Sequence, residues 1–104
     1  MTLSTHVLDA VAGRPAAGVA VTLEHDGAVV ATARTDDDGR VRDLGPLGTG
    51  THRITFDTGG FFAETGRQAF YPEVTVAFTV TDPGAHHHVP LLLSPFAYST
   101  YRGS

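Results

Sequence analysis

The feature that most restricts the fold is a two-residue rhythm, in which apolar side chains recur at alternate positions within short windows separated by turn residues. Successive side chains of a strand point to opposite faces, so this rhythm reads as half-buried strand, whereas a helix would space its apolar residues three and four apart. Val74, Val76, Phe78 and Val80, opposed by Thr75, Ala77 and Thr79, give the cleanest window. Leu3, Thr5 and Val7 alternate with Ser4, His6 and Leu8, and a strand from Val19 to His25 puts Val19, Val21 and Leu23 on one face. Asp26-Gly27 then reads as a tight hairpin turn, because both residues tolerate positive φ, with Ala28 to Thr35 as the return strand. After the turn Asp36-Asp37-Asp38-Gly39, Arg40 to Leu44 leaves room only for a short strand at an edge, and His52, Ile54 and Phe56 share the next inward face. His86 to Leu93 reads as one strand, with His86, His88, Pro90 and Leu92 on one face and His87, Val89, Leu91 and Leu93 on the other. Pro90 cannot donate to a ladder, so an edge, a bulge or one missing bond is expected there. Phe96 to Tyr101 supplies a last strand. The rhythm is interrupted once, where Asp57 or Thr58 can cap a short helix over 60–66 that Gly59 and Gly60 weaken. Seven or eight short strands and one short helix predict an all-β, two-sheet β-sandwich. At 104 residues the whole chain, 1–104, is expected to form a single domain with a radius of gyration of about 13 Å.

Several classes of function are excluded at this level. The chain has no cysteine, which removes disulfides, thiolate metal sites and thiol nucleophiles. Its formal charge is −4, and its seven basic residues, all arginine, are scattered, so the clustered positive charge a nucleic-acid partner requires is missing. The longest apolar run, Val89 to Leu93, contains a proline and is far shorter than a membrane span, so no membrane partner is expected. Met1 to His6 has neither the basic start nor the apolar stretch of an export signal, and a cytoplasmic location is the expectation.

Histidine is the residue type most able to carry chemistry here, with six in the chain and three together at His86, His87 and His88. A metal site would need His86 and His88, on one face about 7 Å apart, plus a third ligand such as His6 or an aspartate. No companion motif supports it, so neither metal nor cofactor is expected. His86 and His87, just after a turn, are expected to be solvated, while His88 lies deeper in its strand, where a pocket is favoured. A neutral imidazole can take a proton from water near neutral pH, which suits a hydrolase with no thiol or metal, and His6 is a partner or alternative base. Arg40 is either a surface arginine paired with the preceding aspartates or a planar fork for a flat anion. Tyr98 to Tyr101 should order as a strand and hold Arg102, Gly103 and Ser104 nearby.

These residues fall in segments that resemble the 5-hydroxyisourate hydrolases, or transthyretin-related proteins, over essentially the whole chain. The most specific segment is His86-His87-His88-Val89-Pro90-Leu91-Leu92-Leu93-Ser94-Pro95 followed by Tyr98-Ser99-Thr100-Tyr101-Arg102-Gly103-Ser104, whose closing Tyr-Arg-Gly-Ser resembles the tetrapeptide that separates these hydrolases from true transthyretins. Ser4 to Asp9, Asp38-Gly39-Arg40 and Phe70-Tyr71-Pro72-Glu73-Val74 match the other family segments. One departure is His87, where the family often has an aromatic residue.

The resemblance implies a transthyretin-like sandwich assembled as a homotetramer, a dimer of dimers with sites in the channel between them. It implies hydrolysis of 5-hydroxyisourate at its N1–C6 amide to 2-oxo-4-hydroxy-4-carboxy-5-ureidoimidazoline, within urate degradation and without a cofactor. It assigns catalytic roles to His6, Arg40 and His88, and substrate binding to Tyr101, Arg102, Gly103 and Ser104. The alternative within the same fold is a carrier of a small aromatic ligand, which needs an open channel with small apolar walls; bulky Tyr101 and charged Arg40 argue against it. A purely structural sandwich would leave the histidines incidental.

Overall fold

The alternation of the sequence reappears as alternating burial along each long strand of the computed structural model, which describes residues 2–104. In β1 (Leu3–Asp9), Leu3, Thr5, Val7 and Asp9 are buried while Ser4, His6 and Leu8 sit on the half-buried outer face. β2 (Arg14–Pro15), β3 (Ala20–His25), β4 (Ala28–Arg34), β5 (Arg40–Val41) and β6 (Gly50–Phe56) follow. Beyond the helix α1 (Thr58–Glu64) come β7 (Val74–Val80), β8 (His87–His88), β9 (Leu91–Ser94) and β10 (Ala97–Thr100). The order β4-β3-β6-β7 makes one antiparallel sheet. The other is built around β1, which pairs antiparallel with β2 and β5 and parallel with β8 and β9, and β10 forms its edge against β9. Their inner faces meet in one core that includes Leu3, Leu23, Ile54, Phe56, Phe62 and Leu91. The fold is the expected all-β sandwich, with a Cα radius of gyration of 13.1 Å. No helix among the described residues is long and apolar enough to cross a membrane.

Local chemistry explains where the elements start and stop. Asp26 and Gly27 have φ of 53° and 76°, the left-handed pair that lets β3 turn directly into β4. The helix begins at Thr58, two residues before the expected start at residue 60, because the Asp57 carboxylate accepts the Gly60 N–H at 3.1 Å and caps it. Gly59, expected only to weaken the helix, is required by packing: a Cβ there would lie 2.6 Å from the Pro72 carbonyl oxygen. The predicted strand over 86–93 is two strands, β8 and β9, broken at Val89-Pro90 where proline has no N–H to give. Two buried polar groups of β1 are satisfied by hydrogen bonds, chiefly from distant segments. Thr5 donates to the Val89 carbonyl at 2.6 Å, and buried Asp9 receives Arg67 at 2.6 Å and the N–H groups of Val11 and Ala12. The Arg67 hydrogen bond holds the Asp9 carboxyl below the usual carboxylate range despite burial.

One expectation is overturned. His87 is not solvated: it is 8% exposed and donates from Nδ1 to the Ala85 carbonyl at 3.0 Å. Its parity with buried Val89, Leu91 and Leu93 decided its orientation over its closeness to the turn.

Candidate active site

The middle of the site is β1, whose outer face carries Ser4 and His6 two positions apart. Register supplies the rest. On one side His6 stands opposite Arg40 of β5, and on the other Ser4 stands opposite His88 of β8. Residues directly opposite in neighbouring strands have Cβ atoms about 5 Å apart, so the pairing brings His6, Arg40 and His88 onto one surface. The expected catalytic residues therefore converge, although 84 residues separate Ser4 from His88.

The turn before Arg40 is held by Asp36, whose carboxylate accepts the N–H groups of Asp38 and Arg40 at 2.9 Å each. Gly39, at φ 75°, accepts the Val7 N–H at its carbonyl at 2.7 Å, and a Cβ there would collide with the Val7 carbonyl oxygen. Only glycine lets this turn lie against β1 and deliver Arg40 beside His6. The aspartates pair with Arg42, at 4.0 Å from Asp36 and 3.6 Å from Asp38, and among the described residues no carboxylate forms an ion pair with Arg40. The surface-pair reading thus belongs to Arg42, and the Arg40 guanidinium keeps its charge for something else.

Each histidine is oriented. His6 donates from Nε2 to the Asp38 carbonyl at 2.9 Å; since a carbonyl only accepts, Nε2 carries the proton and Nδ1 is the free acceptor of the neutral ring. His88 Nδ1 lies 2.8 Å from Ser4 Oγ, and the same hydroxyl lies 2.8 Å from His86 Nε2. Burial first, then the positive charge of Arg40 and the neighbouring His6 and His86, hold His88 below the ordinary histidine pKa, against the opposing effect of a Ser4 backbone contact. His88 is therefore neutral and basic at cellular pH.

The tail reaches the site at one residue. Gly103 donates its N–H to the His88 carbonyl at 2.8 Å, and a Cβ at Gly103 would strike the His88 ring. Tyr101 and Arg102 line a cleft of about 320 Å³ with Val76, Phe78 and His88, whereas Ser104 is exposed at the end of the tail. A smaller cleft of about 220 Å³ lies among Ser4, Arg40, Arg42 and His86. His88 stands on the mainly apolar wall of the larger cleft, while the smaller one gathers the Ser4 hydroxyl, the His86 imidazole and the guanidinium groups of Arg40 and Arg42. Neither Ser4 nor His86 is among the catalytic or binding residues expected from the sequence, where His86 is a solvated residue or, with His88, a candidate metal ligand; the parity of Ser4 with His6 is the available signal.

A model of the HIUase/Transthyretin family matches residues 3–103. The chain belongs to this family. A relative from Salmonella dublin, a 5-hydroxyisourate hydrolase, is 43% identical over 98% of this chain and 80% of its own length. Among solved structures, the 5-hydroxyisourate hydrolase of Klebsiella pneumoniae superposes with a TM-score of 0.92 at 39% identity, covering 99% of this chain and 93% of that one. Sea bream transthyretin in complex with thyroxine superposes with a TM-score of 0.91 at 32% identity, covering 99% and 95%. Structures similar to this chain thus include both a hydrolase and a thyroxine-bound transthyretin.

Proposed function

We propose that this chain hydrolyses 5-hydroxyisourate at its N1–C6 amide, giving 2-oxo-4-hydroxy-4-carboxy-5-ureidoimidazoline in urate degradation. The observation that carries the reading is the convergence of His6, Arg40 and His88 on the outer face of β1, with an uncommitted guanidinium beside a neutral imidazole. In this reaction His88 takes a proton from water as its oxygen attacks C6. Arg40 receives the negative charge that develops on the C6 oxygen, where a guanidinium makes hydrogen bonds and needs no reorganisation. His6, fixed by Asp38, offers Nδ1 to orient the water or the heterocycle. Collapse of the tetrahedral intermediate breaks the C6–N1 bond, and N1 takes the proton from His88. Tyr101, Arg102, Gly103 and Ser104 bound the substrate on the tail side. A carrier of the transthyretin kind has no use for an unpaired cation and a hydrogen-bonded base at this point.

A homotetramer belongs to the same proposal. β7 and β10 each end their sheet with an unpaired edge, and the surface also exposes Phe70, Phe96, Tyr98 and Tyr101, a combination that favours pairing between copies. The location proposed is the cytoplasm. The test is to generate 5-hydroxyisourate in place with urate oxidase and follow its absorbance with and without this protein. Faster decay is expected; an unchanged decay overturns the reading. Sedimentation as a monomer at assay concentration overturns the tetramer.

A further inference from the structure

The hydroxyl between His86 and His88 is part of a longer string: Thr2 Oγ1 lies 2.9 Å from His86 Nδ1, His86 Nε2 lies 2.8 Å from Ser4 Oγ, and Ser4 Oγ lies 2.8 Å from His88 Nδ1. A serine hydroxyl has one proton, so it donates to one imidazole and accepts from the other. One arrangement leaves His88 a bare nitrogen for substrate: His88 donates from Nδ1 to Ser4, Ser4 donates to His86 Nε2, and His86 donates from Nδ1 to Thr2. His88 Nε2 then carries the lone pair a base requires. The reverse arrangement puts the proton on Nε2 and disarms it.

We infer that Ser4 and His86 are positioning residues that set the tautomer of His88 and draw off its charge during hydrolysis. This rests on the function proposed above. As water attacks, its O–H bond breaks and an N–H bond forms at His88 Nε2. The Nδ1 proton then passes to Ser4 Oγ, whose own proton passes to His86 Nε2. His88 is neutral again and the positive charge rests on His86. When N1 of the leaving group takes the Nε2 proton, which came from the water, the string runs back and His88, Ser4 and His86 regain their starting protonation. The physical gain is one of place. An imidazolium at His88 would be half-buried and would face Arg40 and His6, whereas His86 is exposed to water. Arg42 lies across the smaller cleft from His86 but is already paired with Asp36 and Asp38.

The test uses the full chain with 5-hydroxyisourate generated in place, comparing wild type, Ser4→Ala, His86→Phe and the double variant, with melting temperatures to confirm that each is folded. Each single change is expected to lower kcat about tenfold to a hundredfold with KM within about twofold, and the double variant to be no slower than the worse single one. In mixtures of light and heavy water, wild type should give a curved dependence of rate on deuterium fraction, reporting several protons in motion, and His86→Phe a straight one. A single-residue effect on shape alone would not change that curve. Folded variants with wild-type kcat, additive losses or a straight wild-type dependence would overturn the relay while leaving the hydrolase reading intact. A wild-type chain that does not speed ring opening would overturn both.

Discussion

His86 and His88, on the sheet built around β1, and His25 and His52, on the opposite sheet, differ in what their ring nitrogens meet. In the first pair Ser4 joins one ring to the other, and the outer side is open to water. In the second pair the rings stack face to face with centroids 3.9 Å apart, and His52 also lies 5.6 Å from the Phe78 ring. His52 donates from Nδ1 to the Gly50 carbonyl at 3.2 Å, while its Nε2 is buried with no hydrogen-bond partner. Burial, together with the nearby His25 and His87, holds it below the ordinary histidine pKa against the effect of Gly50 and Asp26. The same side chain is thus the base we propose in one sheet and a dehydrated packing plate in the other. Exposure and partners decide which, not residue type.

The contrast can be broken at its strongest point first. His88→Asn should lower kcat by roughly 10²- to 10⁴-fold, the range for a positioned acid–base group, with little change in melting temperature. Equal losses in kcat and stability would show that His88, too, is mainly a packing group. Arg40→Gln removes the donor proposed for the C6 oxygen, and about a 10²-fold loss in kcat is expected. A rise in KM alone would instead make Arg40 a ground-state clamp. In the pH dependence of kcat/KM, the acid limb should fall below the ordinary histidine value of about 6.5, since His88 stays deprotonated to lower pH than a solvated imidazole. A limb above that value would contradict the assignment of His88 as base.

The smallest effect is expected inside the core. His52→Phe keeps a ring in the stack and removes the unpartnered nitrogen, so it should raise stability by about 1 kcal/mol without altering kcat. Because His52 is harder to protonate folded than unfolded, its neutral form favours the fold fully above about pH 6.5. As pH falls below that, the unfolded chain gains protons the folded one refuses, and stability declines. Denaturant melts from pH 7 to pH 5 should show a shallower decline in His52→Phe than in wild type.

Much of the fold was legible because the rhythm of Val74–Val80 and Val19–His25 and the Asp26-Gly27 turn are local signals. The helix starts two residues early because the Asp57 cap acts on Gly60, and the need for glycine at residue 59 is invisible locally because it arises from Pro72, on a separate loop. Pro90 marks the place of the strand break in the sequence, but not its extent, since the ladder is interrupted over Val89 and Pro90 and resumes as a separate strand. For the site, residue chemistry and position pick out His6, His88 and Arg40 and the family resemblance adds their roles, but no spacing along the chain indicates that Ser4 faces His88 or His6 faces Arg40. Those facts are register, fixed by distant strands choosing β1. His87 shows the reverse case: parity already placed it with the core residues, and proximity to a turn was the weaker guide.

The parallel ladder between β1 and β8–β9 joins residues more than 80 positions apart, as in the 84-residue separation of Ser4 and His88. During synthesis the first strand leaves the ribosome long before its neighbours exist, and contacts of such long range close slowly. The outer face of β1 must wait, half dressed, until β8 and β9 arrive, so activity should emerge only after that late pairing.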